Sequence, residues 1–96
     1  MKEDILHSVQ EAILAVSQLG KPESIAFIET ASLQLAEAFR AGNKVIVAGN
    51  GGSLCDASHM AEELTGFFHR KRPALPAIAL SDGGHITCVG NDIGFE

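Results

Sequence analysis

The sequence predicts an α/β fold in which two helices precede the first part of a doubly wound parallel sheet. Helical apolar spacing in the N-terminal segment and two short apolar runs, at residues 44–48 and 76–80, favour this fold. A helical segment between the two runs makes them a parallel βαβ unit. Because parallel sheets are usually larger and covered on both faces, these two strands are expected to form only part of a sheet.

The two leading helices are predicted from apolar periodicity. In residues 2–19, apolar side chains recur at steps of four, four and three, at Ile5, Val9, Ile13 and Val16. Gly20-Lys21-Pro22 interrupts this pattern, with the glycine predicted as a C-terminal cap and the proline as the opening of the next helix. The second helix is predicted over residues 23–41, again with one apolar face.

A glycine-rich loop follows the first predicted strand directly. The strand is rich in β-branched residues and is predicted to be buried on both faces. In the loop, Asn50, Gly51 and Gly52 allow a sharp turn and a close approach of the backbone to a ligand. Ser53 is predicted to be the N-cap of a third helix that extends to Gly66, where unpaired amides attract negative charge. A phosphate or a sugar oxygen is the ligand that suits this segment.

The remainder of the chain is predicted to complete the βαβ unit. Residues 69–73 form a polar loop whose basic run is expected to be a solvated surface. Residues 76–80 form the second strand, and residues 81–90 hold a turn and a short helix before Asn91 and Asp92. The whole chain, residues 1–96, is predicted to be a single partial domain with a helical segment at 1–42 and the βαβ part at 43–96.

Composition excludes several classes of function. The net charge of −5 over 96 residues argues against a broad electrostatic interaction with nucleic acid. No apolar run approaches the roughly 20 residues of a membrane span, and no signal-peptide pattern is present, so a cytoplasmic protein without a membrane partner is expected. Cys55 and Cys88 fit no zinc-finger or CxxC spacing and are predicted to be small packing residues.

The glycine loop fits other nucleotide-binding patterns poorly. Leu54 stands where the dinucleotide fingerprint needs a third small residue, and Asp82 comes too late to be the ribose-binding acid. A P-loop is excluded because no Gly-Lys-Ser or Gly-Lys-Thr follows the glycines. A turn without a ligand remains an alternative for the loop taken alone.

A second candidate site lies on the predicted third helix. His59 and Glu63 are four residues apart, so both lie on one helix face, where an imidazole and a carboxylate can bind one zinc ion together. A solvated surface pair is the alternative, but the same helix begins at the glycine loop. Asp56 is predicted either to complete a capping box with Ser53 or to support the site. Asn91 and Asp92 could bind hydroxyl groups or form a turn.

Taken together, the motifs from Gly42 onward resemble those of the phosphoheptose isomerase family in the SIS (sugar isomerase) domain superfamily, which has a flavodoxin-like doubly wound sheet. The resemblance rests on their order and spacing: Gly49 to Ser53, Cys55-Asp56, His59, Ala61 to Gly66, Arg72-Pro73, Pro76 to Asp82 and Cys88 to Asp92. It implies an isomerase that interconverts sedoheptulose 7-phosphate and a heptose 7-phosphate in bacterial heptose biosynthesis, with homotetrameric subunits.

The resemblance also implies roles for individual residues. Substrate would contact Asn50, Gly51, Gly52, Ser53, Glu63, Asn91 and Asp92, with Asp56 nearby. Zinc would be bound by His59 and by Glu63, which would also be the catalytic base. The chemistry is consistent, because moving a carbonyl between neighbouring sugar carbons requires a proton shuttle through an enediolate. A carboxylate can carry that proton, and a metal or fixed donors can stabilise the oxyanion.

The family domain is about twice as long as this chain, which lacks the family's serine/threonine-rich phosphate loop and its glutamine and histidine zinc ligands. We therefore expect a fragment or an incompletely represented protein, with an incomplete zinc site. A non-catalytic sugar-phosphate sensor or adaptor of the same fold, similar to the replication-initiator-binding relatives, is the alternative function. Those relatives lack the glutamate found here at Glu63, which favours catalysis. An inert structural fragment is a further alternative.

Overall fold

The computed structural model describes residues 1–94, and the α/β prediction is confirmed. The described chain divides into two compact units, one from Met1 to Glu37 and one that begins at Ala38. The assignment of residues 1–96 to a single partial domain stays a prediction. No helix in the described part of the chain is both long and apolar enough to cross a bilayer.

The first unit is helical. Helix α1 spans Lys2–Ser17, a 3-10 turn spans Gln18–Gly20, and helix α2 begins at Pro22 and ends at Arg40. Proline opens α2 as predicted, since its fixed φ suits the first helical position. The prediction for Gly20 was wrong: Gln18 caps α1, because the chain tightens into the 3-10 turn before it leaves the helix.

The apolar faces of α1 and α2 are exposed. Neither helix has a buried residue in the described structure. The residues predicted to line the face of α1 are all more than a third exposed, and Ile13 is 65% exposed. Amphipathic helices are stabilised mainly by packing of their apolar face, so these helices need a covering surface.

The second unit contains the predicted βαβ arrangement. Strand β1 (Val45–Val47) leads into helix α3 (Gly52–Thr65), and strand β2 (Ala77–Ala79) is followed by helix α4 (Gly83–Ile93). The strands pair in parallel, with Val45 opposite Ala77 and Val47 opposite Ala79. Both strands therefore end at the same edge of the sheet, which is where ligands bind in open α/β folds.

The small core of this unit lies between α3 and the two strands. Ala57 and Ala61 are one helical turn apart on α3 and are buried, as is Ala77 on β2. Alanine side chains let the helix backbone approach the sheet closely. Because these residues orient α3, they determine which of its side chains remain free for chemistry.

Within the described part of the second unit, one face of the sheet is uncovered, which corrects the prediction that both faces of β1 are buried. Ile46 and its register partner Ile78 are 60% and 52% exposed. Val45 and Val47 are half-buried, since successive side chains point to opposite faces and α3 covers only one of them.

Candidate functional site

The glycine loop connects β1 to α3. It needs glycine at two positions, at one because of the backbone conformation and at the other because of a close contact. Gly51 is the N-cap of α3 and has a φ of 56° and a ψ of −123°, a backbone conformation that favours glycine. At Gly49, a Cβ would collide with the carbonyl group of Ser53 and would lie 2.9 Å from the amide nitrogen of Leu54. The loop is therefore packed directly against the first turn of α3.

Ser53 is not the N-cap, which corrects the sequence prediction. It is the second residue of α3, and its amide donates to the carbonyl of Asn50 at 3.1 Å. No side chain caps this helix start, so the predicted capping box between Ser53 and Asp56 is also wrong. The reason is that the helix begins one residue early, at Gly52, once Gly51 has taken up the unusual backbone conformation.

A cavity of about 580 Å³ lies at the ends of the two strands. We call it the strand-end cavity; it is lined by Ala48, Gly49, Asn50, Gly51, Leu54, Leu80 and Ile86. Of the predicted substrate-binding residues, it therefore includes Asn50 and Gly51. Gly52 and Ser53 lie in the adjoining first turn of α3 and are exposed.

A separate cavity of about 370 Å³ lies on the flank of α3. We call it the α3 cavity; its lining residues are Asp56, His59, Met60, Glu63 and Phe68. Four of these residues recur along α3 at helical spacing, and Phe68 comes from the loop after it. This cavity contains the predicted metal pair.

His59 and Glu63 are in direct contact. The Nε2 atom of His59 lies 3.1 Å from Oε1 of Glu63, within hydrogen-bond distance. The two side chains are 72% and 34% exposed, so Glu63 is the more enclosed partner. An imidazole nitrogen and a carboxylate oxygen this close can ligate one metal ion.

The described residues supply only part of the ligands that a metal ion needs. Among residues 1–94, no group of three or more His, Cys, Asp or Glu side chains could hold a metal ion. Asp56 lines the same cavity without joining such a group. Zinc is usually four-coordinate, so His59 and Glu63 fit as two ligands of a larger set.

The two cavities take up successive parts of α3: Leu54 lines the strand-end cavity, and the α3 cavity begins at Asp56 and continues to Glu63. Ser53 and Glu63 are ten residues apart on this helix, which corresponds to about 15 Å along its axis. The structure thus links the glycine loop and the metal pair through one rigid helix without bringing them into one cavity.

Asn91 and Asp92 lie within α4, not after it as predicted. Asp82 caps the start of this helix by accepting a hydrogen bond from the amide of His85, and the helix ends at Ile93. The carboxylate of Asp92 accepts from the Asn91 amide at 3.3 Å and from the Cys88 thiol at 3.6 Å.

The two cysteines are exposed, and His85 lies at a cavity. Cys55 and Cys88 are free and exposed, so the prediction that both are packing residues was wrong. His85 lines a cavity of about 410 Å³ beside Asp82 and Ile86, near the end of β2.

Sequence reasoning missed two residues near the metal pair. Phe68 lines the α3 cavity and stacks edge-on against His69. Arg72 was predicted to be part of a solvated basic run, but it is half-buried and bonded to the end of α3. The sequence did contain a signal for this role, because a basic residue shortly after the end of a helix can bond to its last carbonyls.

Comparison with known proteins gives a consistent set of matches. The family model described as "SIS domain" matches residues 8–96. Proteins named phosphoheptose isomerase from Enterobacter sp. (strain 638) and Escherichia coli (strain K12 / DH10B) are 49% and 48% identical over the whole chain. The chain spans about half the length of these curated relatives, 51% in both cases.

A solved structure shows the same fold. Phosphoheptose isomerase GmhA from Neisseria gonorrhoeae superposes with a TM-score of 0.79 at 34% identity. The match covers 98% of this chain and 48% of that one. The similarity in sequence and in fold therefore extends along nearly the whole chain.

Proposed function

Because this chain belongs to the SIS domain family, we propose that it forms the N-terminal part of the site of a sugar-phosphate isomerase. The substrate would be a phosphorylated heptose, as the name of the relatives suggests. Our specific proposal is the interconversion of sedoheptulose 7-phosphate and D-glycero-D-manno-heptose 7-phosphate. The observation that carries the proposal is the 3.1 Å contact between His59 and Glu63, in a cavity on the helix that starts at the glycine loop.

Glu63 is proposed as the catalytic residue. Aldose–ketose isomerisation removes a proton from the carbon next to the carbonyl and returns one to the neighbouring carbon, through an enediolate. A carboxylate can accept and return that proton. The partial enclosure of Glu63, at 34% exposure, and its contact with His59 limit the orientations of its side chain.

His59 and Glu63 would together hold a zinc ion. Zinc would supply Lewis-acid stabilisation of the oxygen on which charge develops. The donor atoms and their separation fit two ligand positions, and further ligands would have to come from outside the described residues. His59 would also fix the direction of the Glu63 carboxylate through their mutual contact.

The strand-end cavity would hold part of the sugar phosphate. Its position at the carboxyl ends of β1 and β2 is the usual ligand position in open α/β sheets. Asn50 supplies an amide, and the backbone at Gly51 and Gly52 is accessible because no Cβ covers it. Ser53 would add a hydroxyl, while Asn91 and Asp92 would bind sugar hydroxyls from α4.

The exposed apolar faces support a homo-oligomer, with a tetramer as the specific proposal. Helices α1 and α2 have no buried residue, and Ile13 and Phe27 are 65% and 73% exposed. Covering such faces with identical copies would remove apolar surface from water. A cytoplasmic location is proposed as well.

The experiment is an isomerisation assay with the protein encoded by the complete reading frame that contains this chain. Conversion of sedoheptulose 7-phosphate should be detected by chromatography and should fall at least about a hundredfold in Glu63→Gln. Glu62→Gln is the matched control, because Glu62 lies on another face of α3 and should leave turnover unchanged.

Two outcomes would count against the proposal. Unimpaired turnover by Glu63→Gln would remove the catalytic role of this residue. Absence of turnover by the unaltered protein, together with binding of a protein partner and no metal, would instead favour a non-catalytic SIS-domain adaptor.

A further inference from the structure

The C-terminal end of α3 is held by a side chain that comes from the following loop. Arg72 donates from Nη2 to the carbonyl of Glu63 at 2.7 Å and from Nη1 to that of Leu64 at 2.9 Å. Nη1 also lies 3.3 Å from the carbonyl of Gly66 and 3.0 Å from that of Pro73. One guanidinium thus bonds to several carbonyls at and just beyond the end of the helix.

Of these four carbonyls, those of Glu63 and Leu64 belong to the last turn of α3 and have no amide partner within the helix. The last four carbonyls of any α-helix lack amide donors from a following turn. Many helices solve this with a left-handed glycine, but Gly66 has a φ of −90° and a ψ of −121°. Arg72 therefore replaces that backbone cap with side-chain hydrogen bonds.

Charge gives a second reason for this contact. The last turns of α3 carry the carboxylates of Glu62 and Glu63 and no basic residue. Carboxylates near a helix C-terminus are unfavourable, because that end has a partial negative charge. The guanidinium of Arg72 brings a cation to this end across eight to nine residues of chain.

We infer that Arg72 is a positioning residue that holds the last turn of α3, and with it the Glu63 carboxylate, in the geometry needed at the α3 cavity. The inference rests on the proposed function of Glu63. Arg72 bonds to the main-chain carbonyl of the same residue whose side chain contacts His59. Glu63 is the third residue from the end of α3, where an unsupported helix frays.

The shape of the arginine head is central to this role. A planar guanidinium can donate in two directions at once, whereas a lysine ammonium is a point charge. Arg72 uses this fork to link Glu63 and Leu64, and the amide of Leu75 joins the same Leu64 carbonyl at 2.9 Å. Hydrogen bonds from the loop thus reach two adjacent carbonyls at the end of α3.

The test uses Arg72→Gln and Arg72→Lys in the protein encoded by the complete reading frame. We expect kcat to fall at least about tenfold in Arg72→Gln, with KM changed less than about threefold, because a small displacement of a catalytic group lowers the rate steeply. Arg72→Lys should recover only part of this loss. Arg70→Gln is the matched control, an exposed cation of the same loop, and should keep kcat unchanged.

A readout independent of activity is amide hydrogen exchange at Gly66. Its amide donates to the carbonyl of Glu62 at 2.7 Å in the last bond of α3. In Arg72→Gln this amide should exchange at least about tenfold faster, while circular dichroism should show an otherwise folded protein. Arg70→Gln should leave its exchange unchanged.

A double-mutant cycle separates positioning from general stability. In a Glu63→Gln background, Arg72→Gln should cause no further loss of kcat, since the group it positions is already gone. Additive losses, unaltered kcat in folded Arg72→Gln, or a loss in proportion to the unfolded fraction would each overturn the inference. If Glu63→Gln itself is fully active, the proposed function fails instead, which distinguishes the two failures.

Discussion

Gly49 lies so close to the carbonyl group of Ser53 that no side chain fits between the end of β1 and the first turn of α3. The obstructing atoms belong to the backbone, which cannot rotate away as a side chain would. This packing sets the position of the glycine loop relative to α3. The loop therefore depends on the absence of a single methyl group.

Replacing Gly49 with alanine should lower the free energy of unfolding by about 1 to 3 kcal/mol, because the added Cβ overpacks against backbone. Urea unfolding followed by circular dichroism measures the change. Gly83→Ala is the control, since a Cβ there meets nothing within 4 Å, and it should change stability by less than about 0.5 kcal/mol. Equal stability of the two variants would contradict the close packing.

The His59–Glu63 pair has a natural control on α1. His7 Nε2 lies 3.5 Å from Glu11 Oε1 with the same spacing of four residues, and both side chains are about 70% exposed. We expect His59→Gln to weaken zinc binding by at least about tenfold and His7→Gln to leave it unchanged. Competition with a chelating dye measures the affinity. A larger effect of His7→Gln would place the metal elsewhere.

Asp82 accounts for the start of α4. Its carboxylate accepts from the amide of His85, which the helix itself leaves unpaired. We expect Asp82→Ala to lower the free energy of unfolding by about 1 kcal/mol and Asp82→Asn to lower it much less, since asparagine also caps helices well. Urea unfolding of both variants tests this, and an equal loss in both would argue against capping.

The proposed homo-oligomer can be tested on α1. Ile13 belongs to the exposed apolar face, whereas the exposed Ala15 lies about 160° away from it around the helix. Ile13→Asp should reduce the molar mass in sedimentation equilibrium, because a buried unpaired carboxylate opposes association. Ala15→Asp should leave the mass unchanged. A monomeric unaltered protein would refute the oligomer directly.

Elements with a local cause could be predicted from the sequence. The apolar periodicity of α1 and α2, the proline at Pro22 and the order of strand, helix and strand needed no knowledge of distant contacts. The pairing of His59 with Glu63 was also predictable, since a helix brings residues four apart together wherever it lies.

The predictions that failed depended on the backbone geometry around the helix starts, which residue type alone does not specify. Ser53 has the residue type of an N-cap, but the conformation at Gly51 and the packing at Gly49 start α3 earlier. Asn91 and Asp92 suggested a turn, yet α4 continues through both and ends at Ile93. Local propensity is worth about 1 kcal/mol or less per residue, so the surrounding structure readily overrides it.

The sequence by itself determined the α/β class, the parallel βαβ order and the helical pair His59 and Glu63, because short-range spacing specifies these features. Only the tertiary structure decided that Arg72 closes the end of α3, that Gly49 must lack a side chain and that the glycine loop and the metal pair line separate cavities. Each of these depends on atoms brought together by the packing of α3 with its neighbouring loops and strands, and residue spacing does not encode such distances.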